Sequence, residues 1–121
     1  MSNIQHYKDL LIWQKGIDLV KLVYSSLEGF PKDEVFGLQN QMKRAAVSVP
    51  SNIAEGWGRD STQNYIQFLR IARSSLLELE TQLIIEKELD FIAEVKFNAI
   101  AALITEESKM LNTFIKTLSK S

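Results

Sequence analysis

An all-α fold, an antiparallel up-down-up-down four-helix bundle with a proline-kinked second helix, is what this sequence predicts. Three observations carry that expectation. Apolar residues recur at spacings of three and four over four long segments. The two prolines and five glycines sit mostly at the breaks between those segments. The β-branched residues fall on the helical stripes and not in sustained alternation, so no strand pattern competes. Helices of roughly 20 to 27 residues, about 30 to 40 Å long, joined by short turns, place sequence neighbours antiparallel. With 121 residues, 45% hydrophobic and 24% charged, residues 1–121 make one ordinary domain with a core of its own.

The first helix is expected from about Lys8 to Glu28, with Leu10, Trp13, Ile17, Val20, Tyr24 and Leu27 on one stripe. Gly29, Phe30 and Pro31 end it, because proline disfavours helical geometry in the residue before it. The second begins near Asp33 and carries Val35, Leu38, Met42, Ala45, Val49 and Ile53 before stopping at Gly56. Asp60 and Ser61 are both suitable N-caps for the third, and Gln63 gives Asp60 the look of a capping box. Its stripe is Tyr65, Phe68, Leu69, Ala72, Leu76, Leu79 and Leu83. Asp90 is expected to cap the fourth, which runs through Phe97, Ile100, Leu103, Ile104, Leu111, Phe114 and Leu118.

The stretch RAAVSVPSNIAEGWGR, residues 44 to 59, is the most informative. A step of 100° per residue gathers Arg44, Ser48, Asn52, Glu55 and Arg59 into one polar stripe. Ala46, Val47, Pro50, Ser51 and Ala54 form a face of small or compact side chains that lets another backbone come close. Pro50 removes the amide that would bond the Ala46 carbonyl and crowds that oxygen, so a kink is expected there. Asn52 is a candidate donor to a partner helix or subunit. Glu55 precedes Arg59 by four residues, the favourable order for an ion pair near a helix C-terminus. Gly56 and Gly58 permit the positive φ of a C-terminal cap, and Trp57 between them can fold over the bundle end.

Composition excludes several chemistries. The chain has no cysteine and a single histidine, His6, so thiol catalysis, thiolate metal sites and histidine clusters are ruled out. No cofactor, no metal and no small-molecule substrate is expected, and no enzymatic activity, for want of a nucleophile and base at helical spacing. No leader or bilayer-length apolar run is recognised in the sequence, so no membrane partner is expected and a cytoplasmic location is expected. Leu11, Val23, Ile66, Ile71, Leu77, Ile84, Ile85 and Met110 lie outside the narrow seams. That surplus of apolar surface predicts self-association.

The formal net charge is −1, but it is unevenly spread. Residues 43 to 73 hold five basic and two acidic side chains, a net of +3, whereas residues 74 to 107 hold eight acidic and two basic, a net of −6. Lys43, Arg44, Arg59, Arg70 and Arg73 are therefore the candidate contacts to an RNA phosphate backbone, for which arginine supplies forked donors. A solvated face with intersubunit ion pairs is the competing reading.

The segments DLLIWQKGIDLVKLVY, FPKDEVFGLQNQMKRAAVSVPSNIAEGWGR and FLRIARSSLLELETQL resemble the four-helix-bundle proteins encoded by intervening sequences in 23S rRNA genes. That family includes the accessory variability protein of diversity-generating retroelements, a markedly basic barrel. The resemblance covers roughly residues 9 to 90. It implies a homopentamer with no enzymatic activity, and it carries the motif positions Trp13, Pro31, Gly37, Leu38, Arg44, Pro50, Asn52, Glu55, Gly56 and Arg59, most of them as architecture. The expected partners are further copies of the chain and an RNA or ribonucleoprotein; a protein scaffold without nucleic acid is the alternative. Family members often carry Gly at the middle of Leu89-Asp90-Phe91, and Asp there suggests a capped helix start.

Overall fold

The computed structural model of the protein describes residues 4–28 and 37–120. They hold four helices: α1 (Leu11–Ser26), α2 (Leu38–Trp57), α3 (Thr62–Glu88) and α4 (Glu94–Ser119). Each packs on its sequence neighbour, and α4 returns to α1, so the four close around one core as the sequence predicts. The turn at Pro31 and the expected start at Asp33 and Val35 lie outside the described residues.

A short 3₁₀ turn, Tyr7–Asp9, precedes α1 and absorbs the expected start at Lys8. Asp9 Oδ2 accepts from the amides of Gln5 and His6 at 3.1 and 3.2 Å, and His6 Nδ1 accepts from the Lys8 amide at 3.3 Å. These local acceptors compete with helix for the first amides. The helix proper starts only after Leu10, whose backbone is extended.

The face that α1 buries is Ile12, Gly16, Leu19 and Val23. Of the expected stripe, Leu10 and Leu27 at its ends are buried in the core, whereas Trp13, Ile17 and Val20 are half-buried and Tyr24 is exposed, so its middle is a flank of the core and not its centre. Gly16 reads as a gap in a hydrophobic pattern, which hides the true stripe. Val23 and Ile66, expected outside the seams, are likewise buried.

Pro50 sits inside α2, buried, without ending the helix. Asn52 does not reach another helix. Its side-chain amide donates to the Ser48 carbonyl at 2.8 Å and to Ser48 Oγ at 2.9 Å. Ser48 and Ser75 then share a 2.8 Å hydroxyl contact that ties α2 to α3. The small face of α2 does meet another backbone: a Cβ on Gly16 would lie 3.2 Å from Pro50 Cβ.

Gly56 does not stop α2, and neither it nor Gly58 uses a positive φ. Gly56 is needed for clearance, since a Cβ there would fall 2.8 Å from Tyr65 Cδ1 and 3.0 Å from Phe68 Cβ. Ser61, not Asp60, caps α3: its hydroxyl accepts from the Asn64 amide at 3.1 Å, and the Asp60–Gln63 box is not formed.

Asp90 does not cap α4, which follows Ala93 with no side-chain cap. Instead it closes α3. The Phe91 amide donates to the Glu86 carbonyl at 2.9 Å and the Asp90 amide to the Lys87 carbonyl at 3.0 Å, the paired bonds of a Schellman end. This motif needs a left-handed residue, and Asp90 takes it with a φ of 57°. Glycine meets that need without steric cost.

Asp90→Gly is therefore expected to raise stability by roughly 0.5–1 kcal/mol in urea unfolding. Gly56→Ala is expected to lower it, because overpacking of about 1–3 kcal/mol outweighs the roughly 1 kcal/mol that alanine gains in helix propensity. A stabilised Gly56→Ala protein would refute the clearance argument.

Candidate functional site

Antiparallel packing decides which charges share an end. Ser48–Ser75 sets α2 against α3, Arg73–Asn112 and Tyr65–Phe114 set α3 against α4, and Lys15–Glu106 sets α1 against α4. The α2–α3 turn therefore lies at the same end as the start of α1 and the finish of α4. The sequence segments 4–14, 52–73 and 109–120 meet there with seven basic and three acidic side chains, a net of +4. The described remainder holds six basic and ten acidic, a net of −4. The bundle is electrically polar along its length.

Of the five expected contacts, Arg59, Arg70 and Arg73 belong to the basic end. Arg59 forms the expected pair with Glu55 at 2.9 Å and lies 4.5 Å over the Phe68 ring. Arg70 donates to Gln67 Oε1 at 3.3 Å and borders a polar hollow with Thr62, Gln63, Asn64 and Ser119. Arg73 donates to Asn112 Oδ1 at 3.0 Å, on the α4 side of α3. Lys43 and Arg44 stand apart, about 22 Å along α2 from the turn. Lys43 lies 5.0 Å over the Tyr24 ring, and both line a shallow depression beside it.

Lys109, Lys116 and Lys120, which are not among the expected contacts, are brought to the basic end by α4. No local motif marks them. Only the up-down order of the helices, combined with the charge count, could have placed them at the same end as Arg70.

A second unexpected feature lies in the core. Glu107 on α4 and Glu86 on α3 are completely buried, and none of their four carboxyl oxygens has a hydrogen-bond partner. Burial raises both carboxyls, that of Glu86 to about 7 and that of Glu107 to about 8; Lys96 and Lys15 respectively oppose the shift. Lys15 itself is bonded to Glu106 and not to Glu107. The periodicity contained the signal: Glu107 is three residues after Ile104 and four before Leu111, and Glu86 is three after Leu83. Burial likewise pushes the Tyr65 hydroxyl up to about 12, so it stays neutral while its ring packs edge-on to Phe114 at 5.5 Å.

Among the described residues no group of three or more His, Asp or Glu could hold a metal ion, and no helix is long and apolar enough to cross a membrane. A family model described as 23S rRNA-intervening sequence protein matches residues 8–113. No curated protein matches the chain. A solved structure from Bacteroides thetaiotaomicron, described as a protein with unknown function from the S23 ribosomal protein family, is similar with a TM-score of 0.79 and 24% identity. The likeness covers 88% of this chain and 99% of that one, and it supports the fold alone.

The two raised carboxyls set the pH dependence of stability. Each keeps its proton in the folded state over a range where the unfolded chain has lost it, so stability falls as pH rises from the ordinary carboxylate range to the folded value. Unfolding free energy is expected to drop by about 1.4 kcal/mol per pH unit per group, from both between about pH 5 and 7 and from Glu107 alone between about 7 and 8. A urea midpoint that rises over that window would contradict neutral, buried carboxyls.

Proposed function

Because the chain belongs to the family of 23S rRNA-intervening sequence proteins, we propose that it is a cytoplasmic, non-catalytic, self-associating bundle, pentameric as the resemblance implies, that binds RNA or a ribonucleoprotein through its basic end. The observation that carries this reading is the charge polarity. Arg59, Arg70 and Arg73 share one end with Lys109, Lys116 and Lys120, while the acidic residues of late α3 and early α4 crowd the other. Phosphate contact by such an end is independent of base sequence and driven by counterion release. The hollow beside Arg70 is also lined by Thr62, Gln63 and Asn64 in the first turn of α3, a 27-residue helix whose positive pole favours anions.

Self-association rests on the outer face of α3. Ile71, Leu77, Ile84 and Ile85 are between 42% and 61% exposed there. Removing these side chains from water contributes about 25 cal/mol per Å² of apolar area, and a lone subunit forgoes it. A ring of copies would present several basic ends together, adding avidity to a weak single contact.

The same apolar face supports a second reading, a scaffold that docks another protein without nucleic acid. Capture from native cytoplasm after nuclease treatment separates the two, since partners that survive favour the scaffold. The genomic setting of the coding region separates a ribosomal RNA context from a retroelement one.

Binding to structured RNA is expected to weaken steeply with salt, and Arg70→Glu with Arg73→Glu to lower affinity by about tenfold or more, whereas Arg44→Glu changes it less. Salt-insensitive binding, or none, in a filter-binding titration refutes the RNA reading. Light scattering is expected to report a multimer at micromolar concentration that Leu77→Glu dissociates; a stable monomer of the unaltered chain refutes self-association.

A further inference from the structure

Three oddities of the core converge on one place. Pro50 removes the amide that would serve the Ala46 carbonyl, and Ala46 is fully buried, so bulk water does not replace it. Gly16 leaves α1 without a side chain at the same level. Glu107 reaches in from α4 with two unpartnered oxygens. The point a Cβ of Gly16 would occupy is 3.4 Å from Pro50 Cδ and 3.3 Å from Glu107 Oε2. Pro50 Cδ stands where the missing amide hydrogen would point, so the Ala46 oxygen lies on the Pro50 side of the gap that Gly16 leaves and that Glu107 Oε2 also borders.

We propose that Glu107 is carried in the core as a neutral acid whose hydroxyl serves the Ala46 carbonyl, so that one proton latches α4 to the proline turn of α2. A buried acceptor without a donor and a buried carboxyl without a partner are each costly, and one hydrogen bond between them removes both penalties. The site favours the proton for a separate reason as well. Lys15 on α1 is the cation that acts on Glu107, and it is already bonded to Glu106 and also faces Asp18; Glu106 on α4 adds negative charge at the carboxyl, and no group of α2 or α3 exerts a charge on it. Loss of the proton leaves a carboxylate facing a carbonyl oxygen, which drives α4 away from α2 and makes the latch release as pH rises.

The test is a cycle between Glu107 and Pro50, read by urea unfolding near pH 6. Glu107→Met is expected to lower the folding equilibrium constant by about tenfold or more in the natural background and several-fold less when combined with Pro50→Ala, which returns an amide to Ala46. Glu107→Gln, which keeps a donor, is expected to fold and to remove one proton's share of the pH slope. Equal losses from Glu107→Met in both backgrounds overturn the proposal. Should Glu107→Met fail to fold, carbon NMR of the Glu107 carboxyl decides. Pro50→Ala is expected to shift its titration to lower pH by withdrawing the need for the donor; an unmoved titration, or a carboxyl ionised at pH 6, overturns the latch.

Discussion

Close approach around α2 is the constraint on which the rest of this bundle depends. Two glycines on two sides of that helix remove the atoms that would hold its neighbours off. Gly16 lets the Pro50 ring lie against the α1 backbone, and Gly56 lets α2 meet Tyr65 and Phe68 of α3. A helix gripped on both flanks tolerates a proline in its interior, because the packing around Pro50 replaces what the lost backbone bond contributed. The hydroxyl contact between Ser48 and Ser75 adds a polar rivet on the same helix pair.

That grip fixes the vertical register of all four helices, and register is what makes the molecule electrically polar. No single helix is strongly charged alone. Folding superimposes the arginines of the α2–α3 hairpin on the lysines of late α4, and it stacks the acidic residues at the opposite end. The buried carboxyls of Glu86 and Glu107 soften that polarity near neutrality, since part of their formal charge is absent from the folded state. A chain of formal net charge −1 can thereby present a cationic face to a polyanion.

Two cap assignments show where local patterns mislead. Asp90 looks like an N-cap because it precedes an amphipathic run, yet the preceding helix claims it first, as the left-handed residue of a Schellman end. Asp60 and Ser61 are equally good caps by residue type. The choice of Ser61 follows from where α2 actually ends, one residue past Gly56 at Trp57.

The existence, number and approximate limits of the helices were legible in the amino-acid order, because hydrophobic periodicity and the placement of glycine and proline are local properties of the backbone. So were the Glu55–Arg59 pair and the small face of α2. What only the tertiary structure decided is which of two adjacent stripes on α1 is central, why Gly56 must lack a side chain, and that two carboxyls on the stripes of α3 and α4 are sealed from water. Each of these depends on another helix lying within a few ångströms. Burial and clearance belong to pairs of surfaces, and one segment's residues record only half of each pair.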